Sequence, residues 1–137
     1  KLGINESIEL LRRGQMGRLG CVADNGPYVV PVNYIFDGEC AYVHSLPGRK
    51  ISALRGDARA CLQVDEIHNA FQWRSAIAFG TYEEVNDPEE RDKVLEKLLD
   101  RFPNFTPVES AMAQVEGIPA TVIFRIRVET ITGVAEG

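Results

Sequence analysis

Apolar and polar positions alternate with a period that changes several times along the chain, and each change marks an element. Ile4, Ile8 and Leu11 recur at helical spacing, with Asn5 placed as N-cap and Gly14 as a stop, which predicts a short helix over Asn5 to Arg13. Arg18 to Ala23 reads as a strand, and Asp24-Asn25-Gly26-Pro27 after it carries turn chemistry. In the longer strand Tyr28 to Phe36, Tyr28, Val30, Val32, Tyr34 and Phe36 point one way; Val29, Pro31, Asn33 and Ile35 point the other. Asp37-Gly38 is a hairpin signal, and Glu39 to Ser45 returns as a third strand. A short helix through about Arg55 turns Ile51 and Leu54 inward. Arg59 to Glu66 and Trp73 to Val85 follow as strands; the second is apolar on both faces as far as Tyr82, so both faces are expected to be covered, one of them by a partner subunit.

The strongest helix starts at Asp87-Pro88, with Asp87 as N-cap, Pro88 in the first turn and Glu90 completing a box-like start. Val94, Leu95, Leu98, Leu99 and Phe102 form its apolar stripe, and Pro103 ends it. Asn104 to Pro119 reads as irregular, with a helical turn near Ala111. Thr121 to Thr130 closes the series as a strand with Val122, Phe124, Ile126 and Val128 inward. Six short strands joined mainly by tight turns, with two or three helices, predict a mainly β (α+β) fold: a six-stranded antiparallel split β-barrel with peripheral helices. Residues 1–137 are expected to form one domain, which at this length buries about 68% of the unfolded surface without a disulfide or metal staple.

Charge and cysteine usage narrow the function classes. The net charge of −5 disfavours nucleic acid and anionic membrane surfaces as partners. Cys21, Cys40 and Cys61 lie in apolar, strand-like stretches with no C-x-x-C pair, which fits free thiols in a reducing cytoplasm. No apolar run reaches membrane-spanning length and no signal-peptide pattern opens the chain. The phosphate-loop, zinc-protease, esterase and EF-hand signatures are absent, and no metal site is expected.

Three stretches carry candidate chemistry. His44-Ser45-Leu46-Pro47-Gly48-Arg49-Lys50-Ile51-Ser52 runs from a strand end through a Pro-Gly turn into a helix start. Free amides, a positive dipole end, a hydroxyl and two cations are what a phosphate monoester needs; Arg49 offers a bidentate fork and Lys50 a point charge. A solvated basic loop is the alternative. In Val30-Pro31-Val32-Asn33-Tyr34, Pro31 marks an edge, a bulge or an opening in the sheet, where free backbone groups can meet the rim of a planar heterocycle. A plain barrel strand with one polar residue is the alternative there. Trp73, the only tryptophan, lies beside Arg74 and Ser75 and can stack on an aromatic ligand or anchor a core or interface.

Residues 18–85 read Arg-Leu-Gly, G-P-Y-V-V-P-V-N-Y, A-Y-V-H-S-L-P-G-R-K, A-C-L-Q-V-D and W-R-S-A-I-A-F-G, and the C-terminal I-R-V-E-T-I-T-G completes the order. This resembles the pyridoxamine 5′-phosphate oxidase-like FMN-binding split barrels, in the branch related to nitroimidazole-resistance proteins, over most of the chain. The resemblance implies a homodimer with two FMN sites at its interface and a small-molecule substrate. By motif, His44, Ser45, Arg49 and Lys50 hold the phosphate and ribityl chain. Pro31, Val32, Asn33 and Tyr34 line the isoalloxazine with backbone groups, and Trp73 and Ser75 come from the other subunit. The terminal G-V-A-E-G lacks the Trp- and Arg-rich substrate motif of the oxidases proper, which argues against vitamin B6 oxidation. The expected function is a flavin oxidoreductase, with His44 as the one candidate to touch substrate. The alternatives are a non-catalytic FMN or haem sensor with His44 or His68 as axial ligand, and a deazaflavin-dependent reductase on the same fold.

Overall fold

A computed structural model describes residues 1–24, 26–103 and 121–137; Asn25 and the irregular stretch expected from Asn104 to Pro119 lie outside the described residues. The described elements are α1 (Ile4–Arg13), β1 (Met16–Ala23), β2 (Gly26–Asn33), β3 (Ile35–Phe36), β4 (Cys40–Ser45), α2 (Arg49–Gly56), β5 (Arg59–Asn69), β6 (Gln72–Glu84), α3 (Pro88–Arg101) and β7 (Val122–Glu136). The seven strands form one sheet in the order β2-β1-β5-β6-β7-β4-β3. Every pair in it is antiparallel.

The two ends of that order, β2 and β3, are consecutive in the chain, with Tyr34 alone between them. The sheet therefore curls round and closes on itself at Tyr34. Here the seven strands replace the six expected, because the single strand predicted over Tyr28 to Phe36 breaks in two. Its alternation survives the break: Val32, Tyr34 and Phe36 are buried, while Val29, Pro31 and Asn33 are exposed. Tyr34 is fully buried, and its hydroxyl donates to the Leu11 carbonyl oxygen at 2.5 Å. Burial pushes its phenol well above the ordinary value.

The core fills the barrel with Leu19, Leu62, Val64, Val43, Phe124 and Ile126, and α2 adds Ile51 and Leu54 as expected. A smaller cluster of Val85, Val94, Leu98 and Ile123 seats α3 on the barrel wall. Asp87 caps α3 by accepting from the Glu90 amide at 3.1 Å, with Pro88 in the first turn, as the sequence predicts.

Helix α1 departs from expectation. Its N-cap is Gly3, not Asn5, and Ile4 is exposed while Ser7, Leu10 and Leu11 are buried. The cause lies on β7. A side chain at Gly133 would collide with Ser7 Oγ, so the missing Cβ lets the Ser7 face of the helix settle against the sheet. Ser7 then satisfies its hydroxyl by donating to the Gly3 carbonyl at 2.9 Å. Strands β5 and β7 also run past their expected ends, to Asn69 and Glu136. Among the described residues, no helix is long and apolar enough to cross a membrane.

Candidate functional site

The barrel is split between β2 and β4. Ile35 pairs with Tyr42 and Phe36 with Ala41. Carried backwards, that register would set Asn33 against His44 and Val32 against Ser45, but there the strands part. Strand β2 keeps β1 on one side, with Pro31 opposite Arg18 and Val32 opposite Gly17. Strand β4 keeps β7, with His44 opposite Ile123 and Ser45 opposite Val122. Among the described residues neither strand has a strand partner on the side facing the split. Pro31 thus sits on an open edge, where a residue without an N–H costs the ladder nothing.

Two of the predicted stretches form the lips of this split, and α2 closes its end. Arg49, at the start of α2, holds its guanidinium over the Tyr28 ring, 5.0 Å from the centroid. The other helix starts carry acidic residues: Glu6 in α1, and Glu89 and Glu90 behind the Asp87 cap in α3. The first turn of α2 has no acidic residue and no side-chain cap. Its positive end therefore has no acidic side chain of its own helix beside it. Ser45 is buried on the β4 lip and donates to the Leu46 carbonyl at 2.8 Å, which fixes the turn into α2.

Most arginines elsewhere are neutralised. Arg13 meets Glu66, Arg18 meets Asp65, Arg55 meets Glu84, Arg59 meets Asp57, and Arg125 and Arg127 both meet Glu83. Arg49 has no carboxylate within ion-pair distance among the described residues, although the sequence holds 20 acidic side chains against 15 basic ones. A cavity of about 320 Å³ opens beside it, lined by Ala23, Asp24, Arg49, Ser52 and Ala53.

On the β2 lip, Val32 and Tyr34 send their side chains into the core, and the Tyr34 amide donates to the Gln15 carbonyl at 3.3 Å. Asn33 uses its amide nitrogen on the same Gln15 carbonyl at 3.3 Å. Backbone groups of Pro31 to Asn33 remain the part of this lip that faces the split.

Trp73 and Ser75 lie elsewhere. Trp73 pairs with Ile67 near the far end of the β5–β6 hairpin, and Ser75 accepts from Gln63 Nε2 at 3.0 Å. Tyr28 is level, across the sheet, with Cys21, Ala60 and Gly80. From Gly80 to Trp73 is seven residues, about 23 Å of strand at about 3.3 Å per residue. One copy of the chain does not bring Trp73 to Arg49. By alternation Trp73, Ser75, Ile77 and Phe79 share the outward face of β6. Val29, Gly20, Cys61 and Phe79 make one cross-strand row on that face. Gly20 leaves a hollow in that row, an apolar one of about 320 Å³.

Sequence reasoning gives no role to Tyr28, Asp24 or Ser52. The signal for Ser52 was available, since it follows Arg49 by three residues on a helix and so shares its face. Tyr28 and Asp24 come to the site only through the closure of the barrel.

The family model for pyridoxamine 5′-phosphate oxidase matches residues 4–135. An uncharacterized protein of Rhizobium meliloti is 30% identical over 127 residues, covering 88% of this chain and 83% of the relative. The crystal structure of an FAD-binding protein from Mesorhizobium loti superposes with a TM-score of 0.79 at 29% identity, covering 99% of this chain and 96% of that one. A Bacteroides thetaiotaomicron structure provisionally assigned to 5-nitroimidazole antibiotic resistance gives 0.74 at 20% identity, over 97% of this chain and 84% of that one, and shows the same split-barrel fold. With nearly the whole sequence matched and the fold shared, the chain belongs to the pyridoxamine 5′-phosphate oxidase family.

Proposed function

We propose that the chain is a flavoprotein that holds a flavin mononucleotide unit in the split, phosphate at the start of α2, and serves as an oxidoreductase for a small molecule. The observation that carries this reading is Arg49, a guanidinium stacked on Tyr28 at an acid-free helix start, with no carboxylate to neutralise it among the described residues. A phosphate there gains the fork of Arg49, the amides of the first turn and the charge of Lys50. The parted edges of β2 and β4 suit the rim of a planar ring, which needs donors and acceptors in one plane. His44, opposite Ile123 on the β4 lip, is the candidate to touch a substrate. The name of the Mesorhizobium loti relative supports a flavin, and the FMN unit is common to FMN and FAD. A bound flavin supplies electron or hydride transfer, and the chain supplies placement and charge.

The reading includes a homodimer. Trp73 and Ser75 reach a flavin only from a second copy, and they share an outward face with Phe79, 42% exposed, and Val29, 65% exposed. Apolar surface gathered in this way marks an association site.

The test starts with the visible spectrum of the purified protein, then flavin titration of the stripped protein and reduction by nicotinamide cofactors. Arg49→Met removes a charge-assisted bidentate contact of about 1.5–3 kcal/mol, so the Kd for FMN should rise roughly 10- to 150-fold. A colourless protein that takes up no added flavin, or an Arg49→Met variant with unchanged affinity, overturns the reading.

A further inference from the structure

The outward face of the sheet carries a chain of polar groups between the row of Phe79 and the Ile67–Trp73 pair. Arg18 on β1, Gln63 and Asp65 on β5 and Ser75 on β6 alternate with the core residues Leu19, Leu62, Val64 and Ala76, so they share that face. We infer that Gln63 is a positioning residue: with Arg18 it fixes the Ser75 hydroxyl as a hydrogen-bond donor, offered to an acceptor atom of the flavin ring held by a second copy. This inference rests on the flavin and homodimer reading above and adds to it the polarity of one contact and the residues that set it.

The polarity follows from which groups can donate. An arginine only donates and an ionised carboxylate only accepts. Arg18 Nη1 donates to Gln63 Oε1 at 3.2 Å and to Asp65 Oδ2 at 3.1 Å. The carboxamide is oriented by this, with its oxygen towards Arg18 and its nitrogen away. Gln63 Nε2 gives one hydrogen to Asp65 Oδ2 at 3.0 Å and the other to Ser75 Oγ at 3.0 Å. With both hydrogens engaged, that nitrogen cannot take a proton from Ser75. Among the described residues Ser75 makes no other hydrogen bond, and its cross-strand neighbour on β7 is the apolar Val134. One lone pair of Oγ is thus taken and the O–H has no taker, so the group that completes Ser75 under a covering partner is an acceptor. The edge of a flavin ring offers carbonyl oxygens and unprotonated nitrogens of that kind. Negative charge gathers on those carbonyl oxygens when the ring is reduced, so a donor held there strengthens as the charge develops. The Arg18 cation at the head of the chain polarises the amide and makes the hydroxyl a better donor.

The experiment uses the full chain, stripped and reloaded with FMN, and reads the Kd for oxidised FMN and the midpoint potential of the bound flavin. Ser75→Ala removes the donor. It should weaken reduced FMN about tenfold more than oxidised FMN, which lowers the potential by about 30 mV for a two-electron couple. Gln63→Glu keeps the shape but replaces the amide donor with an acceptor, so the Ser75 hydroxyl turns to the new carboxylate. It should lower the potential at least as much as Ser75→Ala. In the Ser75→Ala background the same change should shift the potential by less than half of that, because only the through-space effect of the charge remains. The inference is overturned if Ser75→Ala leaves Kd and potential unchanged in a protein that binds FMN. It is also overturned if Gln63→Glu lowers the potential equally with and without Ser75. A network that only knits the sheet would lower the Tm of these variants and leave the potential where it was, which likewise overturns it. A chain that binds no flavin overturns the flavin reading itself, a separate result.

Discussion

Arg101 closes α3 and reaches across to α1, where its guanidinium donates to the carbonyls of Arg12 at 3.0 Å, Arg13 at 2.9 Å and Gly14 at 2.9 Å. These are carbonyls at the end of α1 that no further helical amide can reach. A cation there also meets the negative end of the helix. Two of the contacts are exposed and one is half-buried. At about 0.5 kcal/mol for each exposed contact and about 1 kcal/mol for the half-buried one, Arg101→Met should cost near 2 kcal/mol. With an unfolding entropy of about 2.1 cal/mol/K per residue, a chain of 137 residues loses about 7 °C in Tm for that cost. Arg101→Lys keeps the charge but lacks the planar fork, so it should recover about half. Thermal melts followed by circular dichroism at neutral pH read all three proteins. If Arg101→Met melts within 2 °C of the parent, or the lysine variant is as poor as the methionine one, the three contacts do not act together as described.

Other expectations follow from different parts of the molecule. Gly80 sits at the β6–β7 register shift, where a Cβ would meet the Arg127 carbonyl oxygen. Gly80→Ala should therefore cost roughly 1–3 kcal/mol in urea unfolding, with an unchanged m-value. Glu83 is held at about 2 by hydrogen bonds from Arg127 and then Arg125. A depressed carboxylate stabilises the fold fully above about pH 4.5, and the contribution drains away as pH falls towards 2. Glu83→Gln should flatten that part of the pH–stability curve; an equally steep acid loss would contradict the assignment. Phe79→Glu places a charge on the outward face and should convert a sedimenting dimer into a folded monomer, with far-UV circular dichroism unchanged. A dimer that persists in that variant locates the association surface elsewhere.

Much of this architecture is legible in local pattern. The α3 cap, the inward residues of α2 and the alternation through Tyr28 to Phe36 all follow from period and turn chemistry, and the structure repeats them. What escapes is set by distant partners. The face of α1 depends on Gly133, more than a hundred residues away, and the N-cap moves with it. The break at Tyr34 depends on the Leu11 carbonyl, which no strand pattern announces. In the site, Arg49 and Lys50 were visible because cations beside a Pro-Gly turn are conspicuous in an acidic chain. Tyr28 was not, because only barrel closure sets its ring under Arg49. Trp73 and Ser75 were conspicuous as an aromatic beside polar groups, and only the resemblance assigns them to the other subunit; within one copy they stand far from the lips of the split.

One side chain governs both the seam of the barrel and the seat of a helix. The ring of Tyr34 fills the interior at the point where the chain leaves one neighbour strand for another, and its hydroxyl is tied to the last turn of α1. The width of the gap above it is therefore geared to an element on the outside of the molecule. A mutation that loosens that helix would be felt as a cleft that gapes or pinches, far from any residue that touches a ligand.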